Sequence, residues 1–213
     1  MEKPEVAIVI PAFNEENTIF DVVQSVKRYG AVIVVNDAST DRTQEMAEKA
    51  GAITIMHEDN QGYDGALNSG FSKAEKLNCY MVVTFDADGQ HNSNLLEEYI
   101  KLIDDGFQVV IGNRDKFQRV AEYIFSWVAR AKWGIVDPLC GMKAYHIDVY
   151  KNLGHFDSYN SIGTELSIFA SKRSMSIAQL PIMINERVDK PRFGNRFSSN
   201  IRILKAIFHG LKL

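Results

Sequence analysis

Three features of this 213-residue chain predict an α/β fold built on a mainly parallel central sheet flanked by helices. Short apolar runs alternate with amphipathic stretches through the first half, the βαβαβ rhythm of parallel strands joined by helical crossovers. Several runs are nearly continuous, as in Cys79-Tyr80-Met81-Val82-Val83-Thr84-Phe85, which suits a strand buried on both faces. Three runs end in polar segments, Pro11 to Glu16, Asn36 to Asp41 and Asp86 to His91, and a parallel sheet brings such ends to one edge.

In order along the chain, Val6 to Ile10 reads as strand, Pro11 to Asn14 as loop and Glu15 to Arg28 as helix, with acids near its start as the helix dipole prefers. Ala31 to Val35 is the next strand, and Ser39 or Thr40 can cap the helix that runs to Lys49. Ala52 to Met56 reads as strand, Gly62 to Lys76 as helix, Tyr80 to Phe85 as strand, Ser93 to Asp104 as helix and Phe107 to Ile111 as strand. After Gly112-Asn113-Arg114 the rhythm changes, because Phe117 to Trp133 is long, aromatic and amphipathic; it packs on the sheet or forms a partner surface. Asp137 to Gly141 reads as a tight loop, Met142 to Ile147 as a short strand and Ile162 to Lys172 as a helix. Pro181 opens an edge strand through Arg187, the position where a sheet tolerates proline. Val188 to Ser198, basic and broken by Pro191 and Gly194, reads as a flexible loop, and Asn200 to Leu211 spaces its apolar residues as a helix. Residues 1–187 are thus expected to form the main domain, with 188–213 adding a basic loop and an amphipathic helix.

Composition narrows the function classes. A net charge of −3 with 24% charged residues gives no reason to expect nucleic-acid binding. The exception is local: from Arg187 onward seven basic residues are opposed by Asp189 alone, which suits an anionic surface or substrate. Cys79 and Cys140 have no metal-ligand spacing, so a reduced, cytoplasmic protein is expected. The apolar run before Pro11 is too short for a signal peptide, and no segment supplies a membrane span, so any membrane contact is expected to be peripheral, at the inner face.

The most informative segment is Asp86-Ala87-Asp88-Gly89-Gln90-His91. Two carboxylates one residue apart at a strand end repel each other unless a cation or hydrogen-bond donors offset their charge, and hard oxygen ligands suit Mg²⁺ or Mn²⁺. An Asp-rich turn capping the next helix is the plainer reading. His91 could add a further ligand, but a lone loop histidine reads more plainly as solvated. No glycine-rich dinucleotide fingerprint follows the first strand, and no Gly-Lys-Ser/Thr is present. A nucleotide held here would rely on a cation to neutralise its diphosphate.

Ile10 to Glu16, Val34 to Asp41, Gly62 to Gly70 and Asp86 to His91 together resemble the family 2 glycosyltransferases of the GT-A fold. Asp137 to Lys143 is similar to the Asp-x-x-x-Gly segment of the dolichyl-phosphate mannose synthase and polyprenyl-phosphate glycosyltransferase branch. The resemblance covers roughly residues 6 to 187. It implies an inverting transfer from a UDP- or GDP-linked sugar, with Mg²⁺ or Mn²⁺, to a polyprenyl phosphate or a glycan hydroxyl.

The resemblance also implies roles. Pro11, Phe13 and Glu15 would line the nucleoside site, Glu15 accepting from ribose hydroxyls, and Asp37 would read the base edge. Here Asn36-Asp37-Ala38 replaces the usual Asp-Asp-Gly, losing the first acid and the turn glycine. Asp86 would lie near ribose and diphosphate, with Asp86, Asp88 and Gln90 as the metal's oxygen ligands. Arg114 would face a donor or acceptor phosphate, while Arg187 and Arg192 would flank a loop that closes on donor and acceptor phosphate. Glu165 stands where many relatives place a Glu-Asp pair that deprotonates a sugar hydroxyl, although Leu166 replaces the second acid. A hydroxyl acceptor needs that base; a polyprenyl phosphate is already an anion. Two other classes remain open from sequence: a sugar-1-phosphate nucleotidyltransferase and a non-catalytic sugar-nucleotide-binding subunit. A homo-oligomer is also left open.

Overall fold

A computed structural model describes residues 6–117, 119–183 and 196–212, with the side chains of residues 196–199 left aside. Seven strands, β1 (Val6–Ala12), β2 (Ala31–Asn36), β3 (Ile53–Met56), β4 (Met81–Thr84), β5 (Val109–Arg114), β6 (Lys143–His146) and β7 (Ile177–Ile182), form one sheet in the order β3-β2-β1-β4-β6-β5-β7. All neighbours are parallel except β6, which runs antiparallel to both β4 and β5. The helices are α1 (Ile19–Val26), α2 (Thr43–Ala50), α3 (Gly62–Lys76), α4 (Leu96–Asp104), α5 (Val120–Trp133), α6 (Ile147–Leu153), α7 (Glu165–Lys172) and α8 (Arg196–Lys212). The α/β sheet architecture expected from the alternating runs is therefore the one observed.

Successive residues of a strand point to opposite faces, and β1 feeds two cores in this way. Ala7 and Val9 join Phe71, Phe125, Tyr145, Ile168 and Ile203 under α3, α5, α7 and α8. Ile8 and Ile10 join Ile19, Val23, Ala47, Leu96 and Tyr99 under α1, α2 and α4. Continuous apolar runs were the sequence trace of this two-sided burial. Strand order reverses between β1 and β4, and that reversal opens a crevice beyond their carboxyl ends.

Several boundaries differ from the sequence expectation. α1 begins at Ile19, not Glu15, because Asn14 takes a left-handed φ of 55° and the Glu15 N–H donates to Thr43 Oγ1 at 2.7 Å. Asp41 prepares the start of α2, its Oδ1 accepting from Thr43 N at 2.9 Å, whereas Ser39 Oγ accepts from Asn14 N and ties the first two loops together. Ile162 and Gly163 have φ of 61° and 68°, so α7 starts only at Glu165. The short helix α6 follows β6 directly, where the sequence pattern predicts no helix. β7 starts at Ile177 and carries Pro181 on the sheet edge. α8 starts at Arg196 and absorbs residues expected in the loop. Arg187 and Arg192 lie outside the described residues.

Gly70 lets α3 settle onto β1: a Cβ there would fall 2.2 Å from Val9 Cγ1. Gly70→Ala must push α3 off the sheet, and overpacking of this kind costs about 1–3 kcal/mol. A lowered urea midpoint with unchanged m-value is the expected result, measured by far-UV circular dichroism.

Candidate active site

The crevice holds a cavity of about 430 Å³. The loop after β1 contributes Pro11, Phe13 and Glu15, the end of β2 contributes Asp37, and the segment after β4 contributes Asp86, Asp88 and Gln90. Arg114 enters from the end of β5. Eight of the residues singled out from sequence thus share one cavity. The ladder continues past the strand ends to align these loops, with Asp37 N donating to Ala12 O at 2.9 Å and His57 N to Asn36 O at 3.0 Å.

Asp37 is 4% exposed and holds the amino end of α3, its Oδ1 accepting from Gln61 N at 2.8 Å and its Oδ2 from Gly62 N at 2.7 Å. Behind it His57 Nδ1 lies 2.7 Å from Asp37 Oδ1, and His57 Nε2 lies 2.8 Å from Ser69 Oγ. Ala38 adopts φ of 60°, the left-handed conformation that a glycine would take without strain. Asn36 is buried and shapes the same loop, accepting from Ser39 N at 3.0 Å and donating to Gln44 Oε1 at 3.2 Å.

The acidic rim follows β4. Asp86 Oδ2 lies 2.9 Å from His91 Nε2, and His91 is buried against Phe85, not solvated as its loop position suggested. Gly141 makes room for that carboxylate: a Cβ at Gly141 would lie 2.1 Å from Asp86 Oδ2. Gly89, at φ 74°, turns the chain so that Asp88 and Gln90 both reach the cavity, and Gln90 N donates to Asp88 Oδ1 at 3.1 Å. Among the described residues no three His, Cys, Asp or Glu form a preshaped metal cage. A small hard cation that keeps waters and takes phosphate oxygens needs only a few protein oxygens, so Asp86, Asp88 and Gln90 fit Mg²⁺ or Mn²⁺.

The Arg114 guanidinium is held by two hydrogen bonds to Asp137, Nε to Oδ2 at 2.7 Å and Nη2 to Oδ1 at 2.9 Å, with Glu122 Oε2 a further 3.3 Å contact. Burial works against its charge, but the Asp137 carboxylate more than offsets this and raises its pKa above the ordinary range. It is therefore a fixed cation at the cavity, not a loose surface arginine.

Glu165 is placed elsewhere. It is 2% exposed and absent from the cavity wall, its Oε1 lying 3.0 Å from His155 Nε2 and its Oε2 accepting from Ser158 N at 2.5 Å and from Ser158 Oγ at 3.0 Å. It secures the loop ahead of α7. That loop also hangs from α3, because Asp64 accepts from Ile162 N at 3.0 Å and Gly163 N at 2.6 Å, and Lys143 Nζ donates to Gly163 O and Pro138 O at 2.6 and 2.7 Å. These contacts hold Ile162, a β-branched residue in the left-handed region, against the cavity.

Three further wall residues escaped sequence reasoning as site residues. Tyr63 sits in the first turn of α3, and burial, then the Asp86 and Asp64 carboxylates, keep its phenol protonated far above the ordinary range. Its spacing after Gly62 carried no chemical signal. Ile162 reads from sequence as an ordinary helical residue, and Arg202 as one charge of a basic tail, yet each lines the cavity.

The fold and its acid-lined switch-point crevice are those of a GT-A glycosyltransferase. The chain belongs to glycosyl transferase family 2, whose sequence profile matches residues 7–154. It is 31% identical over 199 residues to an uncharacterized protein of Methanocaldococcus jannaschii, covering 85% of this chain and 82% of that one. A dolichyl-phosphate hexose transferase of Haloferax volcanii is 28% identical over 216 residues, 95% of this chain and 92% of the relative. A UDP-N-acetylglucosamine–dolichyl-phosphate N-acetylglucosaminyltransferase of Methanococcus voltae is 29% identical over 209 residues, 82% of this chain and 83% of the relative. These names fall in the branch that the motifs pointed to. Among solved structures, glucosyl-3-phosphoglycerate synthase from Mycobacterium tuberculosis in complex with Mg²⁺ and UDP superposes with a TM-score of 0.77 at 19% identity, covering 99% of this chain and 80% of that one.

Burial, then the nearby Asp157 charge, raises the Asp64 carboxyl to about 6, partly opposed by the N–H groups of Ile162 and Gly163. A carboxyl raised on folding binds more protons in the native state, so its contribution is fully present below its unfolded value and is lost as pH rises through about 6. Wild-type stability relative to Asp64→Asn should therefore decline by roughly 2–3 kcal/mol between about pH 4 and pH 6. Urea unfolding of both proteins across that range checks the slope, and a rising difference would have the wrong sign.

Proposed function

We propose that this protein transfers a hexose from a UDP- or GDP-linked sugar to a polyprenyl phosphate, inverting the anomeric configuration. The observation that carries the choice of acceptor is the state of Glu165. A sugar hydroxyl needs a base at the cavity to take its proton, and Glu165 lies off the cavity wall with both oxygens committed to His155 and Ser158. A phosphate oxygen is already charged and needs no such help. The named relatives that act on dolichyl phosphate support the same reading.

In this scheme Phe13, 40% exposed at the cavity lip, offers a face to the base, and Asp37 accepts from its imide or amino N–H. Glu15, steadied by Thr18 Oγ1 at 3.1 Å, accepts from ribose hydroxyls. Asp86, Asp88 and Gln90 would hold Mg²⁺ or Mn²⁺, which when bound supplies positive charge to the leaving diphosphate. Tyr63 stays an O–H donor beside Asp86, and the fixed Arg114 guanidinium faces phosphate oxygens. Arg187 and Arg192, outside the described residues, would meet the acceptor phosphate. An acceptor phosphate oxygen forms the new bond to the anomeric carbon as the bond to the diphosphate oxygen breaks, and the electron pair leaves with the nucleoside diphosphate. One displacement inverts the centre. Membership of the glycosyltransferase family displaces the nucleotidyltransferase alternative.

The test is nucleoside diphosphate release from UDP- and GDP-sugars, with Mn²⁺ and a short-chain, water-soluble polyprenyl phosphate. Asp88→Asn should lower turnover at least about 100-fold while the thermal transition stays in place. Glu165→Gln should cost less than roughly tenfold per folded molecule, whereas a loss beyond about 100-fold would identify a base and a hydroxyl acceptor. Donor binding without release would instead mark a non-catalytic binder.

A further inference from the structure

The outer faces of α5 and α8 are unlike the rest of the surface. On α5, Val120, Tyr123, Ile124 and Trp127 repeat at helical spacing and are exposed, Val120 and Trp127 at 74%, while Ala121, Phe125, Ala129 and Trp133 face the core. On α8, Ile201, Leu204, Phe208 and Leu211 are exposed, Phe208 at 56%, while Ile203, Ala206 and Ile207 are buried. The two helices pack on each other: a Cβ at Gly210 of α8 would lie 3.0 Å from Trp133 Cη2 of α5. Each helix therefore spends one apolar stripe on the core and carries a second outward.

The exposed charges that the two helices themselves carry share one sign. α8 contains no Asp or Glu and exposes Arg202, Lys205 and Lys212, the last with Nζ 4.2 Å above the Phe208 ring. α5 exposes Arg130 and Lys132, and Glu122, the acid in its sequence, is turned inward against Arg114 and Arg119. Both stripes also connect to the cavity. Arg202 lines it from α8, and Arg114 lines it while stacking 5.4 Å from Phe117, whose ring meets Tyr123 of the α5 stripe edge-on at 5.1 Å.

We propose that the outward faces of α5 and α8 dock on an anionic lipid bilayer, laying Trp127, Tyr123, Phe208 and Leu204 into the headgroup boundary and Lys205, Lys212, Arg130 and Lys132 against lipid phosphates. Aromatic and aliphatic residues on one side with lysine and arginine around them are what an interfacial helix needs. Each such cation near an anionic leaflet adds attraction, whereas a second copy of this chain would bring two positive faces together. The inference rests on the proposed lipid-phosphate acceptor and deepens it: a lipid-borne phosphate lying in that leaflet comes up beside Arg202 and Arg114.

Vesicle co-sedimentation, with no sugar nucleotide or polyprenyl phosphate present, tests it. The whole chain should pellet at low salt with phosphatidylcholine vesicles carrying about 30% phosphatidylglycerol, and not with phosphatidylcholine alone. Two double variants, W127S with F208S and K205E with K212E, should each weaken binding by roughly tenfold or more. All four side chains are exposed, so thermal transitions should not move. Background binding to the anionic vesicles at low salt, undiminished binding by both variants, or a dimer in sedimentation velocity that W127S dissociates would each overturn the proposal. The proposed function fails separately: turnover of the water-soluble acceptor without vesicle binding sinks only the docking surface, and vesicle binding without turnover sinks only the transfer reaction.

Discussion

Glu15, Asp37, Asp86 and Asp88 converge on one edge of a parallel sheet, and the repulsion among their carboxylates is the constraint that the surrounding structure answers. Asp37 is hydrogen-bonded by the amino end of α3 and the His57 ring; Asp86 leans on His91 in a space that only a glycine at 141 leaves open. Asp88 is steadied by the turn at Gly89. What remains is a rim of oxygens at a cavity that a fixed guanidinium also lines. In the proposed function that rim takes a cation and a polyanion together, the chemistry of an activated sugar.

The antiparallel strand β6 links the acidic rim to the loop before α7. By slotting between β4 and β5 it brings Gly141 beside Asp86 and aims Lys143 back at the loop before α7. Lys143 is fully enclosed, and burial lowers its pKa to about 8, so the carbonyls of Pro138 and Gly163 are bridged by a cation held at a cost. With Asp64 pulling from α3, the segment from Asp157 to Thr164 has little freedom, and Ile162 keeps a backbone conformation it would not choose alone.

The readable part of this protein was the part governed by local pattern. β1, β2 and β4, with α3 from Gly62 to Lys76, could be read from apolar runs and their polar endings, and a parallel sheet then dictated that the endings meet. Interactions between distant segments left no such trace. Nothing near Asp37 announces that it caps a helix starting at Gly62, nor does Glu165, which looks like a first-turn acid aimed at substrate, reveal its partners His155 and Ser158. His91 looked solvated because burial of a loop depends on Phe85 and Asp86 beneath it. Apolar spacing starts α7 at Ile162, whereas the Asp64 anchor for Ile162 and Gly163, which moves the start to Glu165, lies nearly a hundred residues away.

The central claim is that the acidic rim receives a nucleoside diphosphate through a divalent cation, and calorimetric titration of UDP and of GDP into the protein tests it most directly. The account predicts binding of at least one nucleotide in the presence of Mn²⁺ and its loss when EDTA is added. Equal affinity with and without the divalent ion, or no heat from either nucleotide with Mn²⁺ present, would contradict it.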